Sequence, residues 1–238
     1  MTQINPYSWS NVSNMLFLSQ PIGVGFSYET TQVGSTNSSG AFLNASQATP
    51  NGRYSFVDPY RYDTTYLAAT GTWEILQGFL DNLPTLDNTV QNKTFNLWTE
   101  SYGGHYGPAF YEYFYEQNQL IANGTQAGCE LHMDTLGIIN GIVSELIQAP
   151  YYPEFTQPWG NTYGIKAVND TIYNFMKTMY YIPGGCRDSI LDCYESDVST
   201  EAGKDACSYA TNICRGFVEE PYYEYGGRGV YDIRHPYE

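Results

Sequence analysis

Phe95-Asn96-Leu97-Trp98 runs directly into Thr99-Glu100-Ser101-Tyr102-Gly103-Gly104-His105-Tyr106-Gly107-Pro108. The first four residues alternate with the two-residue period of a strand. Tyr106 to Gln119 then reads as a helix, with Pro108 near its start and Phe110, Tyr111, Phe114 and Tyr115 on one face. A serine on a sharp turn between a strand and a helix is lifted clear of the sheet, and the helix N-terminus aims backbone N–H groups at negative charge developing beside it. Such a turn needs small residues two before and two after the serine. Here they are Thr99 and Gly103, so the pattern is T-x-S-x-G rather than G-x-S-x-G. A serine hydroxyl is also a poor nucleophile until a base takes its proton. Two readings of Ser101 therefore stand at this point: a nucleophile at an elbow, which the position between strand and helix favours, and a serine capping the following helix.

Outward from this stretch, the flanking segments carry their own local signals. Asn14-Met15-Leu16-Phe17-Leu18-Ser19 predicts a short buried strand, ended by Pro21, Gly23 and Gly25. Thr30 to Gly52 is rich in glycine and serine and predicts a loop. Asp58-Pro59 supplies an N-cap and a first-turn proline, and apolar residues from Tyr62 to Leu80 recur at spacings of three and four. That predicts a long amphipathic helix to Asn82, closed by Pro84. Leu136 to Val143 predicts a further strand, buried on both faces. Strand, helix, strand, helix, strand in this order predicts an α/β core built on a parallel sheet.

After Pro150 the character changes, so residues 1–150 read as the core portion and 151–238 as a helical insertion. The insertion is rich in tyrosine and closes near Gly226-Gly227-Arg228-Gly229. It holds Cys186 and Cys193, seven apart, and Cys207 and Cys214, also seven apart. Seven residues are about two helical turns, which puts each pair on one helix face. If the two helices run antiparallel, the faces meet as nested bridges, Cys186–Cys214 and Cys193–Cys207. The alternative is a metal site, although C-x6-C twice with no nearby histidine fits zinc spacing poorly. No metal or cofactor is expected. Cys129 is left over, as a free thiol or the partner of a cysteine outside this chain.

Of the 238 residues, 42% are hydrophobic and 16% aromatic, with 24 tyrosines, which is a composition able to pack a core. The formal charge of −15 repels nucleic-acid phosphates and anionic lipid, so neither is expected as a partner. The longest apolar runs are far too short to cross a bilayer. Met1 is followed by Thr-Gln-Ile-Asn-Pro-Tyr, without the basic and apolar regions of a secretory signal. Yet Asn-x-Ser/Thr sequons occur at Asn11, Asn37, Asn44, Asn92, Asn123 and Asn169. Sequons and disulfides both belong to the secretory pathway. The expectation is an extracellular, vacuolar or lysosomal protein whose natural N-terminus lies upstream of Met1.

Glu100-Ser101-Tyr102-Gly103-Gly104-His105-Tyr106-Gly107-Pro108 is similar to the E-S-Y-[AG]-G-H-Y-x-P signature of serine carboxypeptidases. Asn5-Pro6-Tyr7-Ser8-Trp9, Asn14-Met15-Leu16-Phe17-Leu18 and Gly23-Val24-Gly25-Phe26-Ser27-Tyr28 resemble a second block of that family. Gly229-Val230-Tyr231-Asp232-Ile233-Arg234 resembles the segment that leaves its helical insertion, and the nested cysteines resemble a disulfide pattern found there. The resemblance implies an α/β-hydrolase fold acting on the C-termini of peptides or proteins at acidic pH. Within that fold Ser101 would be the acylated nucleophile. Tyr102 would give one oxyanion N–H, and its ring would line the pocket of the residue before the scissile bond. Glu100 would help bind the substrate's terminal carboxylate. Two carboxyl groups meet only with a proton between them, which ties such binding to low pH.

The family's triad follows the order Ser, Asp, His. Its Asp and His, and the glycine segment that gives the second oxyanion donor, are expected outside these 238 residues. His105 rides on the same helix as the nucleophile, His132 precedes a strand and His235 belongs to the insertion's exit, so none is expected to act as the base. These residues alone are expected to be inactive. A carboxypeptidase-like acyltransferase and a non-catalytic truncated member of the family are the alternatives.

Overall fold

The structure is a computed structural model that describes residues 3–44, 46–90, 92 and 94–237. The chain divides into two compact units, Met1–Gly141 and Ile142–Glu238. The division falls ahead of Pro150, where the sequence changes character.

The centre of the first unit is a β–α–β crossover. Strand β3 (Thr94–Glu100) enters helix α2 (Gly103–Ala122), and the chain returns as β4 (His132–Ile139), parallel to β3. Strands β1 (Thr30–Val33) and β2 (Arg53–Phe56) make a separate antiparallel pair, so the predicted loop from Thr30 begins with four residues of strand. Helix α1 (Thr65–Leu86) packs against α2 through Ala68, Ala69, Trp73 and Leu76 on one side and Phe110 and Phe114 on the other. Trp73 and Phe114 are among the most deeply buried side chains. The buried face of α2 is Gly104, Gly107, Phe110, Phe114 and Asn118, at the spacing of three and four that one helix face requires. Tyr115, expected on that face, is exposed.

Several expectations change here. Asp58-Pro59 starts only a 3-10 turn (Pro59–Arg61), with Asp58 Oδ1 accepting from the Tyr60 N–H. The long helix starts afresh at Thr64, whose Oγ1 accepts from the Leu67 N–H at 3.1 Å. Pro84 lies in its last turn rather than beyond it, where one missing N–H interrupts little. Residues 14–19 form no strand, and Phe17 is 86% exposed. Strand β4 begins earlier than predicted, and its last two residues, Ile138 and Ile139, are exposed on opposite faces. Burial on both faces needs neighbouring strands and covering helices, and among the described residues β3 and β4 have only each other.

The second unit is helical. The short helices α3 (Glu145–Gln148) and α4 (Tyr151–Phe155) precede α5 (Asp170–Tyr181), α6 (Cys186–Glu195) and α7 (Glu201–Cys214). Helix α7 passes through a π-turn (Arg215–Glu219) into α8 (Glu220–Tyr225). Disulfides join α6 and α7 at Cys186–Cys214 and Cys193–Cys207, with Cα atoms 4.8 Å and 4.6 Å apart. Ala149, Tyr180, Ile190, Ala210 and Val218 pack around the outer bridge. Cys129, in the first unit, is free.

Candidate active site

The site lies where β3 ends and α2 begins. On β3, Phe95, Leu97 and Thr99 face the helices, while Asn96, Trp98 and Glu100 face outward. Ser101 follows with φ of +59°, in the left-handed region that non-glycine residues seldom occupy. This conformation turns the chain from strand to helix within three residues and leaves the serine exposed. The Ser101 N–H continues the ladder, donating to the Ile139 carbonyl at 3.1 Å. The Gly104 and His105 amides donate to the Ser101 and Tyr102 carbonyls as the first turn of α2 closes. Ser101 does not cap that helix: the N-cap position is Tyr102, which makes no side-chain cap bond, and among the described residues Ser101 Oγ bonds to none of the first amides.

Two groups at the turn are left unengaged. Among the described residues, neither the Tyr102 N–H nor Ser101 Oγ takes part in a hydrogen bond. An unpaired amide at a helix N-terminus, next to a serine hydroxyl, is the arrangement that an oxyanion hole uses. The Tyr102 ring is exposed and packs on His105 and Tyr106, with centroids 4.8 Å and 5.7 Å away. Glu100 ends β3 on the outward face, exposed and without an ion pair among the described residues. Glu100, Ser101 and Tyr102 are thus three successive exposed residues at the turn.

The elbow is tight because its glycines make room for the Thr99 side chain. A Cβ on Gly103 would lie 2.5 Å from Thr99 Cβ, and one on Gly107 would lie 2.6 Å from Thr99 Oγ1. On β4, Gly137 pairs with Trp98, and a Cβ there would fall 2.2 Å from the indole ring. That ring lies flat over Gly137, with Trp9 edge-on to it at 5.0 Å. The spacing T-x-S-x-G pointed to Thr99 and Gly103 as small residues. Gly137 and Trp9 are far off in sequence and carry no local signal.

The histidines lie elsewhere. His105 rides on α2 beside Tyr102. His132 pairs with Thr94 at the opposite end of β4, six residues back along β3 from Glu100, about 20 Å by strand rise. His235 belongs to the other unit and sits 3.7 Å from Asp232. Among the described residues, none bonds to Ser101 Oγ, and no cluster of metal-ligating side chains occurs. Among the described residues, no helix is long and apolar enough to cross a membrane.

One group of titratable residues had no signal in the sequence. In the helical unit, Glu145 of α3 and Glu219 of the π-turn share the field of Arg215, with Tyr152 bonded to Glu145. Burial, then the neighbouring Glu145 carboxylate, pushes Glu219 up to about 7, against the opposing pull of Arg215. Burial also raises Glu145, whose Oε2 has no hydrogen-bond partner among the described residues. Seventy-odd residues separate the two glutamates, so only the fold brings them together.

Similarity to known proteins follows the same lines. The serine carboxypeptidase family profile matches residues 1–238. Carboxypeptidase S1 homolog A of Arthroderma otae is 38% identical over 258 aligned residues, covering 99% of this chain and 39% of that protein. Carboxypeptidase S1 of Penicillium janthinellum is 31% identical, over 98% of this chain and 45% of that protein. The vacuolar serine-type carboxypeptidase ATG42 of Saccharomyces cerevisiae is 30% identical, over 98% of this chain and 36% of that protein. The chain spans about two-fifths of the length of the curated relatives it matches. With a match over its whole length and a strand–serine–helix turn at the E-S-Y-G-G motif, the chain belongs to the serine carboxypeptidase family.

Proposed function

We propose that Ser101 is the acyl-enzyme nucleophile of a serine-type carboxypeptidase that releases C-terminal residues from peptides and proteins at acidic pH. The observation that carries this reading is the +59° φ of an exposed serine between β3 and α2, set beside the unengaged Tyr102 amide. In the reaction, Ser101 Oγ bonds to the carbonyl carbon of the last peptide bond as its proton passes to a base. The carbonyl oxygen becomes an oxyanion facing the Tyr102 N–H. Collapse of that intermediate breaks the C–N bond, and the proton goes to the departing amino acid. Water then releases the shortened peptide. None of the described residues supplies the base.

Glu100 suits the second half of the recognition. A protonated glutamate can donate one hydrogen bond to a peptide's terminal carboxylate, whereas an ionised one repels it. An exposed carboxyl one residue before the nucleophile is within reach of that terminus. The Tyr102 ring offers an apolar wall to the preceding side chain. Six sequons, two disulfides and a vacuolar yeast relative support an acidic secretory or vacuolar setting.

The test uses the natural protein that carries this sequence. It is treated with a fluorophosphonate probe, digested and mapped by mass spectrometry. Labelling is expected on Ser101, with none in Ser101→Ala. A wild-type protein that stays unlabelled at Ser101 rules the reading out. Product analysis then separates hydrolysis from acyl transfer: free C-terminal amino acid is expected, and an acylated acceptor without it would point to the transferase.

A further inference from the structure

Thr99 holds a position where general elbow motifs carry glycine, and its surroundings are more specific than the need for a small residue. Its Oγ1 donates to the Gly103 carbonyl at 2.9 Å. The other carbonyl nearby, that of Gly137, is 3.5 Å away, and a hydroxyl has a single proton to give. The bond to Gly103 therefore closes a ring around residues 100–102, tying the last inward-facing residue of β3 to the first residue of α2. Ser101, with its left-handed backbone, sits inside that ring.

The carbon half of the side chain acts on the same joint. Cβ of Thr99 occupies the space a Cβ on Gly103 would need. Its Cγ2 would be 3.2 Å from a Cβ on Gly107. Strand and helix are pressed together at two glycines, with the threonine between them. A left-handed serine tends to relax toward ordinary backbone by about 1–2 kcal/mol unless its surroundings hold it. Of the bonds around the elbow, the Thr99–Gly103 one is the side-chain bond that spans it. Relaxation would swing the Tyr102 amide and Ser101 Oγ relative to each other.

We propose that Thr99 is a positioning residue: its hydroxyl clamps the elbow so that Ser101 Oγ and the Tyr102 N–H keep the relative placement that acyl transfer requires. This rests on Ser101 being the nucleophile, and it adds the group that holds the nucleophile in place. The clamp acts on the transition state more than on binding, because the oxyanion exists only there.

Two variants separate the hydroxyl from the shape. Thr99→Val keeps the branched carbons and removes the donor. Thr99→Ser keeps the donor and removes the methyl. Hydrogen exchange on the chain, followed by mass spectrometry, reads the clamp without any need for activity. Exchange across residues 101–105 is expected to be about tenfold faster in Thr99→Val and unchanged in Thr99→Ser. In the natural protein, Thr99→Val is expected to lower kcat on a peptide substrate about tenfold with KM unchanged, and Thr99→Ser to restore it to within about threefold. Wild-type exchange and wild-type kcat in Thr99→Val overturn the proposal, as does a Thr99→Ser variant as impaired as the valine. If wild-type protein shows clamped exchange but no labelling at Ser101, the enzyme assignment falls and the clamp stands as a purely structural one, so positioning for catalysis is overturned with it.

Discussion

Ser101 holds its left-handed backbone at the expense of local stability. A non-glycine residue at φ of +59° is strained, and glycine at the same place is not. Ser101→Gly is therefore expected to stabilise the first unit by about 1 kcal/mol relative to Ser101→Ala, read as a shift in denaturant midpoint. Equal midpoints would mean that the elbow is unstrained. Gly103 behaves oppositely, since a methyl there meets Thr99. Gly103→Ala is expected to destabilise by about 1–3 kcal/mol. Gly78 on the exposed side of α1 has nothing within 4 Å of a built Cβ, and Gly78→Ala should gain about 0.5–1 kcal/mol. The sequons differ at the same scale. Asn37 and Asn123 use Oδ1 to accept from the hydroxyl residue two positions on, and Asn169 uses it to cap α5. Among the described residues, none of these three amide nitrogens takes part in a hydrogen bond. Asn11 instead spends its nitrogen on the Pro6 carbonyl, at 2.9 Å. Peptide mapping after enzymatic deglycosylation in heavy-oxygen water is expected to show modification at Asn37, Asn123 and Asn169, with the lowest occupancy at Asn11. Full occupancy at Asn11 would show that its bond does not matter to the modifying enzyme.

Among the elements, the π-turn between α7 and α8 is the one most tied to pH. Glu219 lies within it, faced by Glu145 from α3, with Tyr152 from α4, Tyr223 and Glu220 from α8, and Arg215 from the turn itself. Its carboxyl is raised in the fold, so the folded state holds a proton that the unfolded chain gives up near 4.5. The folded state binds more protons between about 4.5 and 7, and stability must fall as pH rises through that window. Above it the loss is complete and the curve levels. Thermal melts of the helical unit should show this slope, and Glu219→Gln should flatten most of it while raising the midpoint at pH 7.5. A slope unchanged in the glutamine variant would place the titration elsewhere. The elements also show what sequence can and cannot disclose. β3, the turn and α2 announce themselves because alternation, glycines and Pro108 act within a few residues. Asp58-Pro59 is a true local start signal, but it yields only a short turn, because Thr64 offers the cap that continues into an apolar face. Residues 14–19 have strand composition without a strand, since pairing belongs to a neighbour and not to the segment. The elbow's position was legible for the same local reason. The Thr99 bond, Trp98 on Gly137 and the Glu145–Glu219 pair join elements, and no spacing encodes them.

Over the whole molecule, surface is the quantity that stands out. The chain exposes 16272 Å². A compact monomer of 26.8 kDa exposes about 10,800 Å², and two separate bodies of half that mass would together expose about 13,000 Å². The excess therefore persists however the two units are arranged. Much of it is apolar: Ile4, Tyr7, Phe17, Phe26 and Tyr231 are almost fully exposed, and Trp98 and Ile139 on one face and Ile138 on the other are exposed on a sheet that, among the described residues, has two strands and an unpaired edge on either side. Apolar patches of this extent and open strand edges bind hydrophobic dyes and each other. The charge of −15 opposes that association at neutral pH, and the opposition fades as pH approaches the sequence pI of about 4.4. These 238 residues produced alone are therefore expected to enhance anilinonaphthalene sulfonate fluorescence strongly at pH 7 and to scatter light increasingly below pH 5. Acid thus pulls in two directions, since protonated Glu219 strengthens the helical unit over the same range in which lost charge favours aggregation. Added salt separates the two effects: it screens the repulsion at pH 7 and should bring on scattering there, while the Glu219 proton stays governed by pH. Dye fluorescence no higher than that of a compact folded control, with no scattering in salt, would mean that the exposed apolar surface is covered in solution.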